Sequence, residues 1–270
     1  MMALLKQNLL HILRTRLLFV LFTFSFLVQY VSLKMVHFMT FKFQGIVTII
    51  GAKDAIFAAL FFQLFAGAFI AAAYGIWMVP YAHQGPRSPL TFTLPVAKAK
   101  FPLAYALSML GLLLVQHLIM LLSFAVNFGF AAFQGPEFPW LGLLLCLLLE
   151  TLAFEVFMFG FALSSMTVGQ VPTFFLGALT VFLLQIGGAL FRIDLENLPL
   201  GSIPSSVQWV RLVYSKLPPV GELVFDLRQT FLKPSWESSH FVLWLVWLGL
   251  LGMLFRLKLC YPLRARVGEN

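Results

Sequence analysis

An all-α integral membrane protein is the fold class this sequence predicts, on three observations. Hydrophobic residues make up 61% of its 270 residues and charged residues only 10%, where a soluble domain averages roughly 45–50% apolar and about 25% charged. Six stretches are apolar for about the 20 residues a helix needs to cross a bilayer: 17–36, 55–80, 103–128, 140–163, 172–191 and 239–257. The alternating pattern of about ten residues that marks a membrane barrel is absent, whereas a helix satisfies its own backbone in lipid. The whole chain, 1–270, reads as a single transmembrane domain.

Taken in order, the first element is a basic start. Leu4, Leu5, Leu9, Ile12, Leu13 and Leu17 recur at helical spacing, while Lys6, Asn8, His11, Arg14 and Arg16 mostly fall elsewhere. That pattern suits an amphipathic interfacial helix over 1–16, the alternative being a longer first span with a basic beginning. No small-residue cleavage site follows, so it does not read as a removable signal. The second span carries Gly67, Ala71 and Gly75 at i, i+4 and i+8, a small face for close approach of another helix, within the chain or in a dimer.

Between the second and third spans, 81–102 cannot sit comfortably in oil. "GPRSPLTFTLPVAKAKFP" holds four prolines, an arginine and two lysines. Pro86 and Pro89 stop the preceding helix. Ser88 to Leu94 can form a short helix with a Ser cap, and Pro95 ends it. Between the fifth and sixth spans, 192–238 is too polar to cross. "SSVQWVRLVYSKL" and "PPVGELVFDLRQTFLKP" predict two short interfacial or re-entrant helices.

Orientation follows from Lys and Arg near the span ends. With a cytoplasmic N-terminus, the inside segments hold ten Lys and Arg against one acid, and the outside segments eight against seven. The short basic termini agree, so both ends are expected in the cytoplasm and 81–102 with them. The +8 net charge is then topological. No basic stripe with interleaved aromatics suggests nucleic acid.

Phosphate-loop, HExxH and GxSxG motifs are all missing, so no catalytic residue and no bound cofactor or metal is expected. Cys146 and Cys260 have neither metal nor redox spacing. Inside the spans, the candidates are His117, Gln185 and the carboxylates Glu150 and Glu155. A charge at the bilayer centre costs at least ~2.5–3.5 kcal/mol, so an intramembrane carboxyl marks either a substrate or proton path or a group hydrogen-bonded to a neighbouring helix. Five residues are about 500° of helix, so the two point about 140° apart and form no single paired site. Gln63, Gln116, Asn127 and Gln185 are candidate partners. Glu150, nearer the middle of 140–163, is expected to matter more than Glu155.

Six spans, a basic amphipathic start, an inside loop and short outside helices before the last span resemble the ABC-2 type permease, the membrane half of many ABC exporters. The most specific likeness is Leu94-Pro95-Val96-Ala97-Lys98, similar to the family's Leu-Pro-Val or Leu-Pro-Ile stretch leading into the third helix. "SKLPPVGELVFDL" is similar to its proline-containing segment before the last span. The chain departs from the pattern where an acid often precedes the stretch, at Lys98 in place of the frequent Arg, and at Tyr105 where Lys is common. The resemblance implies a coupling helix, with Arg87, Ser88, Leu90, Phe92, Leu94, Pro95 and Lys98 seated on a separate ABC ATPase that carries ATP and Mg. It implies pairing with a second copy or a paralogous permease, and a lipid environment in the bacterial cytoplasmic (inner) membrane. A membrane scaffold or assembly factor without a transport path is the competing reading.

Overall fold

The computed structural model describes residues 16–42, 52–80, 100–133, 138–192, 212, 216–234 and 240–260. The expected interfacial helix, apart from Arg16, lies outside the described residues. So do the coupling loop from 81 to 99, with Arg87, Ser88, Leu90, Phe92, Leu94, Pro95 and Lys98, and most of 205–217.

The described residues are helical, with no strand among them. Helix α1 is Arg16–Lys42 and α2 is Ala52–Ala73, continued by a π-helical turn, Tyr74–Met78. Then come α3 (Phe101–Phe128), α4 (Trp140–Val168) and α5 (Gln170–Arg192). A short α6, Leu223–Leu232, precedes α7, Phe241–Cys260. Four stretches among the described residues are long and apolar enough to cross a membrane: Asp54–Met78, Phe101–Phe128, Trp140–Val168 and Phe241–Leu259. The chain is therefore an integral membrane protein by these helices.

Two glycines turn the chain sharply. Gly129 ends α3 at φ 79 and Gly169 joins α4 to α5 at φ 95, a region open to glycine without strain. Gly169 N–H still bonds the Ser165 carbonyl at 3.0 Å, and Ser164 meets Thr173 at 3.0 Å across the hairpin. At the α3–α4 turn, Phe138 lies 4.8 Å from Trp140 and 5.4 Å from Phe133. Such an aromatic cluster suits a membrane interface.

α4 is the central helix. Gly75 brings the π turn against it, so closely that a Cβ there would stand 2.5 Å from the Met158 carbonyl oxygen. Ser165 donates to the Ile76 carbonyl at 2.9 Å, supplying a partner inside the π turn, where α-helical bonding is interrupted. Gly67 faces the ring of Phe154, and Ala71 is buried. The small face of α2 is thus used within the chain, against α4.

α6 does not lie flat over the bundle. It runs antiparallel along the first half of α4: Gly142 meets the Phe231 backbone, and the Cys146 thiol donates to the Leu227 carbonyl at 3.3 Å. The Val220–Gly221 turn then shares a groove with Phe154 and Phe157. Those residues are at least 14 positions into α4, about 21 Å along its axis and near its midpoint. The segment thus reaches the middle of α4 inside the bundle. Broken backbone at such depth is tolerated only where protein covers it; Val220 and Leu223 are buried.

Candidate functional site

The core divides in two. One apolar cluster joins Ile56 and Leu60 of α2, Met120 and Phe124 of α3, Leu149 of α4, Leu227 of α6 and Trp244 of α7. The other joins Ile70 and Tyr74 to Met109, Phe154, Met158 and Phe255. Between them lies a polar layer, and each member projects from the middle of an otherwise apolar helix.

Gln63 of α2 is its hub. Its Nε2 lies 2.5 Å from Nδ1 of His117 on α3 and donates to Glu150 Oε2 on α4 at 2.5 Å. An amide nitrogen has two hydrogens, so one group can serve both acceptors. His117 Nδ1 then accepts, and Nε2 carries the ring hydrogen toward Thr151 Oγ1 at 3.0 Å. Thr151 passes its own hydrogen to the Leu147 carbonyl at 2.7 Å. Next to this chain, Gln116 Nε2 donates to Ser25 Oγ on α1 at 2.6 Å. Four helices are therefore tied at one depth.

The layer retains unused capacity. Glu150 Oε1, Gln63 Oε1 and Gln116 Oε1 are buried with no protein partner, as are both amide atoms of Gln29, one turn along α1 from Ser25. An unpaired polar atom in an apolar interior is costly, so these atoms mark a place that can accept a further small polar guest.

A second group lies toward the π turn. Tyr74 lies close to Ser108 on α3 and to Glu155 on α4, and Ser108 donates to the Ala104 carbonyl at 2.8 Å. Glu155 Oε2 is buried without a partner. The two carboxylates serve separate clusters: Glu150 meets Gln63, and Glu155 lies near Tyr74. The expected depth is corrected. It assumed a helix ending at 163, but α4 runs to Val168, so its midpoint falls at Phe154 and Glu155 is the nearer to it. Glu150 is nonetheless fully buried, Glu155 5% exposed.

The remaining expected partners divide. Gln116 bonds α1 and not a carboxylate, Asn127 donates to the Ser123 carbonyl of its own helix, and the side chain of Gln185 on α5 lies outside the described residues. The sequence reading missed Ser25, Gln29, Thr151, Tyr74 and Ser108. It also missed a half-buried pair near the start of α7: Asp226, 1% exposed, accepts from His240 Nδ1 at 2.8 Å. Depth was the overlooked signal. Gln63, His117 and Glu150 each lie within about four residues, roughly 6 Å, of the middle of their helices.

Among the described residues no three His, Cys, Asp or Glu side chains gather as metal ligands. Two grooves flank Phe157 and Val220 at the turn before α6. One, of about 380 Å³, opens between Phe61, Phe65 and Phe154; the other, of about 240 Å³, lies between Gly160, Leu176 and Pro218. Comparison with protein-family models, with curated proteins and with solved structures finds no match.

Proposed function

We propose that the chain is the membrane-spanning permease subunit of an ABC exporter, of the ABC-2 type, working with a separate ATPase that holds ATP and Mg. The observation that carries the proposal is α6, a short helix bracketed by prolines that reaches into the bundle between two long apolar helices, α5 and α7. It includes part of the proline-containing stretch that, after the Leu94–Lys98 stretch, adds to the sequence resemblance. In this reading α1 and α5 are spans as well, giving six. Both termini and 81–102 face the cytoplasm, and α6 enters from the outer side.

The mechanism follows from the connections. The coupling helix would take up the closing motion of the ATPase dimer and pass it into α2 and α3. The π turn that continues α2, where α-helical hydrogen bonding is interrupted, lies on that path. Two arrangements of α2 against α4, each favoured by a different nucleotide state of the ATPase, would give alternating access. Two copies, or one copy and a paralogue, would form the transporter in the inner membrane. The apolar grooves at the turn before α6 favour an amphiphilic cargo.

The test is purification from native membranes in mild detergent, with the recovered partners searched for a phosphate-loop ATPase. The expected result is a stable complex whose stimulated ATP turnover is lost when 88–98 is replaced by a flexible linker of equal length. A partner retained without an ATP-dependent cycle would establish the scaffold reading, and failure to recover any ATPase would remove the permease reading.

A further inference from the structure

We propose that Glu150, held by Gln63 beside His117, is a proton-binding site at the seam between the two apolar cores, and that its proton sets how firmly α2 is tied to α4. The inference does not depend on the transport reading.

The two oxygens of Glu150 have different surroundings. Oε2 accepts from Gln63 Nε2 at 2.5 Å, while Oε1 is buried with no protein partner. The groups around the carboxyl offer it no counter-ion. On α2 there is the Gln63 amide. On α3 there is His117, whose Nδ1 faces the amide nitrogen and whose Nε2 faces Thr151. On α4 there are Cys146, one turn away and bonded to Leu227, and Glu155, which serves the other cluster. On α6 there is Asp226, engaged by His240. The polar groups of α1 at this depth are Ser25 and Gln29.

Every donor in the hydrogen-bond chain is already assigned, and the one open position on the carboxyl is Oε1. A proton fits there without moving any other atom. Hydronium gives its proton to Oε1 and leaves as water; Oε2 remains the carbonyl oxygen that accepts from Gln63. The consequence is mechanical. A donor bonded to an ionised carboxylate is held about twice as strongly as one bonded to a neutral acid. Losing the proton tightens Gln63 on Glu150, and gaining it loosens the link. Because the same nitrogen holds His117, α3 shares in the change.

The experiment is infrared difference spectroscopy of the full chain reconstituted in lipid, titrated with acid and base. The expected result is a carboxylic-acid C=O band that appears and disappears reversibly with pH and is lost in Glu150→Gln. In Gln63→Leu the same band should shift to higher wavenumber, since the acid carbonyl loses its donor. Identical difference spectra for the wild type and Glu150→Gln would overturn the proposal. So would a Glu150 carboxylate band that responds to sodium or potassium and not to pH, which would make this a cation site. An unshifted band in Gln63→Leu would overturn the link to α2.

Discussion

The thiol of Cys146 donates to the backbone carbonyl of Leu227 at 3.3 Å, fixing one turn of α6 against one turn of α4. One turn nearer the start of α4, Gly142 has room for nothing more: a Cβ there would stand 2.6 Å from the Phe231 carbonyl oxygen. The obstacle is backbone, so it cannot rotate away. Gly142→Ala should therefore lift α6, at the 1–3 kcal/mol typical of overpacking. Cys146 reports the event. Where opening is fast relative to labelling, reaction with a membrane-permeant maleimide tracks the open population, and about 1.4 kcal/mol is a factor of ten. Labelling of Cys146 should rise roughly tenfold or more in Gly142→Ala. Unchanged labelling would show that α6 is not held at this contact.

Gln63 should be the least replaceable polar residue of the layer. Gln63→Leu keeps the volume but withdraws the donor from both His117 and Glu150. Each orphaned buried acceptor costs about 1–3 kcal/mol. Gln116→Leu removes a single bond to Ser25 and should cost less. Thermal unfolding in detergent checks the order, and equal midpoints for the two variants would contradict it.

Much of the helical frame was legible because lipid makes it so. Apolar length alone located the long helices to within a few residues at most ends, although α1 reaches Lys42 where the apolar run suggested 36, and α4 reaches Val168 where it suggested 163. The α4 extension carries Ser164, Ser165 and Thr167, whose hydroxyls bond backbone or neighbouring side chains and so let polar residues continue the helix. Prolines and apolar spacing placed α6. They could not show that it descends beside α4, because that depends on the missing Cβ of Gly142. The carboxylates were visible as anomalies, but their partners were not. Gln63 and Gln116 look alike in sequence, and only the packing of α1, α2 and α4 around α3 sends one to Glu150 and the other to Ser25.

The Asp226–His240 pair should be asymmetric to mutation. Asp226 is 1% exposed and His240 46%. His240→Ala leaves a buried carboxyl without its ring partner, whereas Asp226→Asn leaves a half-exposed imidazole that water can serve. Removing one partner of a buried pair is costly mainly through the charge left behind. His240→Ala should thus be the more destabilising of the two, by about 1–3 kcal/mol. The two melting curves, taken in the same detergent, decide it; the reverse order would mean that Asp226 is not the buried member in the membrane.

Gly67 and Gly75 lie on one face of α2, but they should respond differently to a second mutation. At Gly67 the neighbour is the ring of Phe154, a side chain. Gly67→Ala should be destabilising alone and largely rescued by Phe154→Leu, which vacates the space the new methyl needs. At Gly75 a Cβ would meet the Met158 carbonyl oxygen at 2.5 Å and the Ala162 nitrogen at 3.2 Å. Trimming a side chain on α4 moves neither atom, so Gly75→Ala paired with Phe161→Leu should remain as destabilised as Gly75→Ala plus the independent effect of the leucine. The two double-mutant cycles measure this directly. A coupling of 0.5–3 kcal/mol is expected for the Gly67–Phe154 pair, where the residues touch. For Gly75–Phe161 it should fall near zero, because the obstacles are the α4 backbone and the Phe161 Cβ, which leucine keeps. If instead both glycines tolerate alanine in the isolated chain and lose only self-association, the small face belongs to a dimer contact and the packing of α2 on α4 is not what selects glycine there.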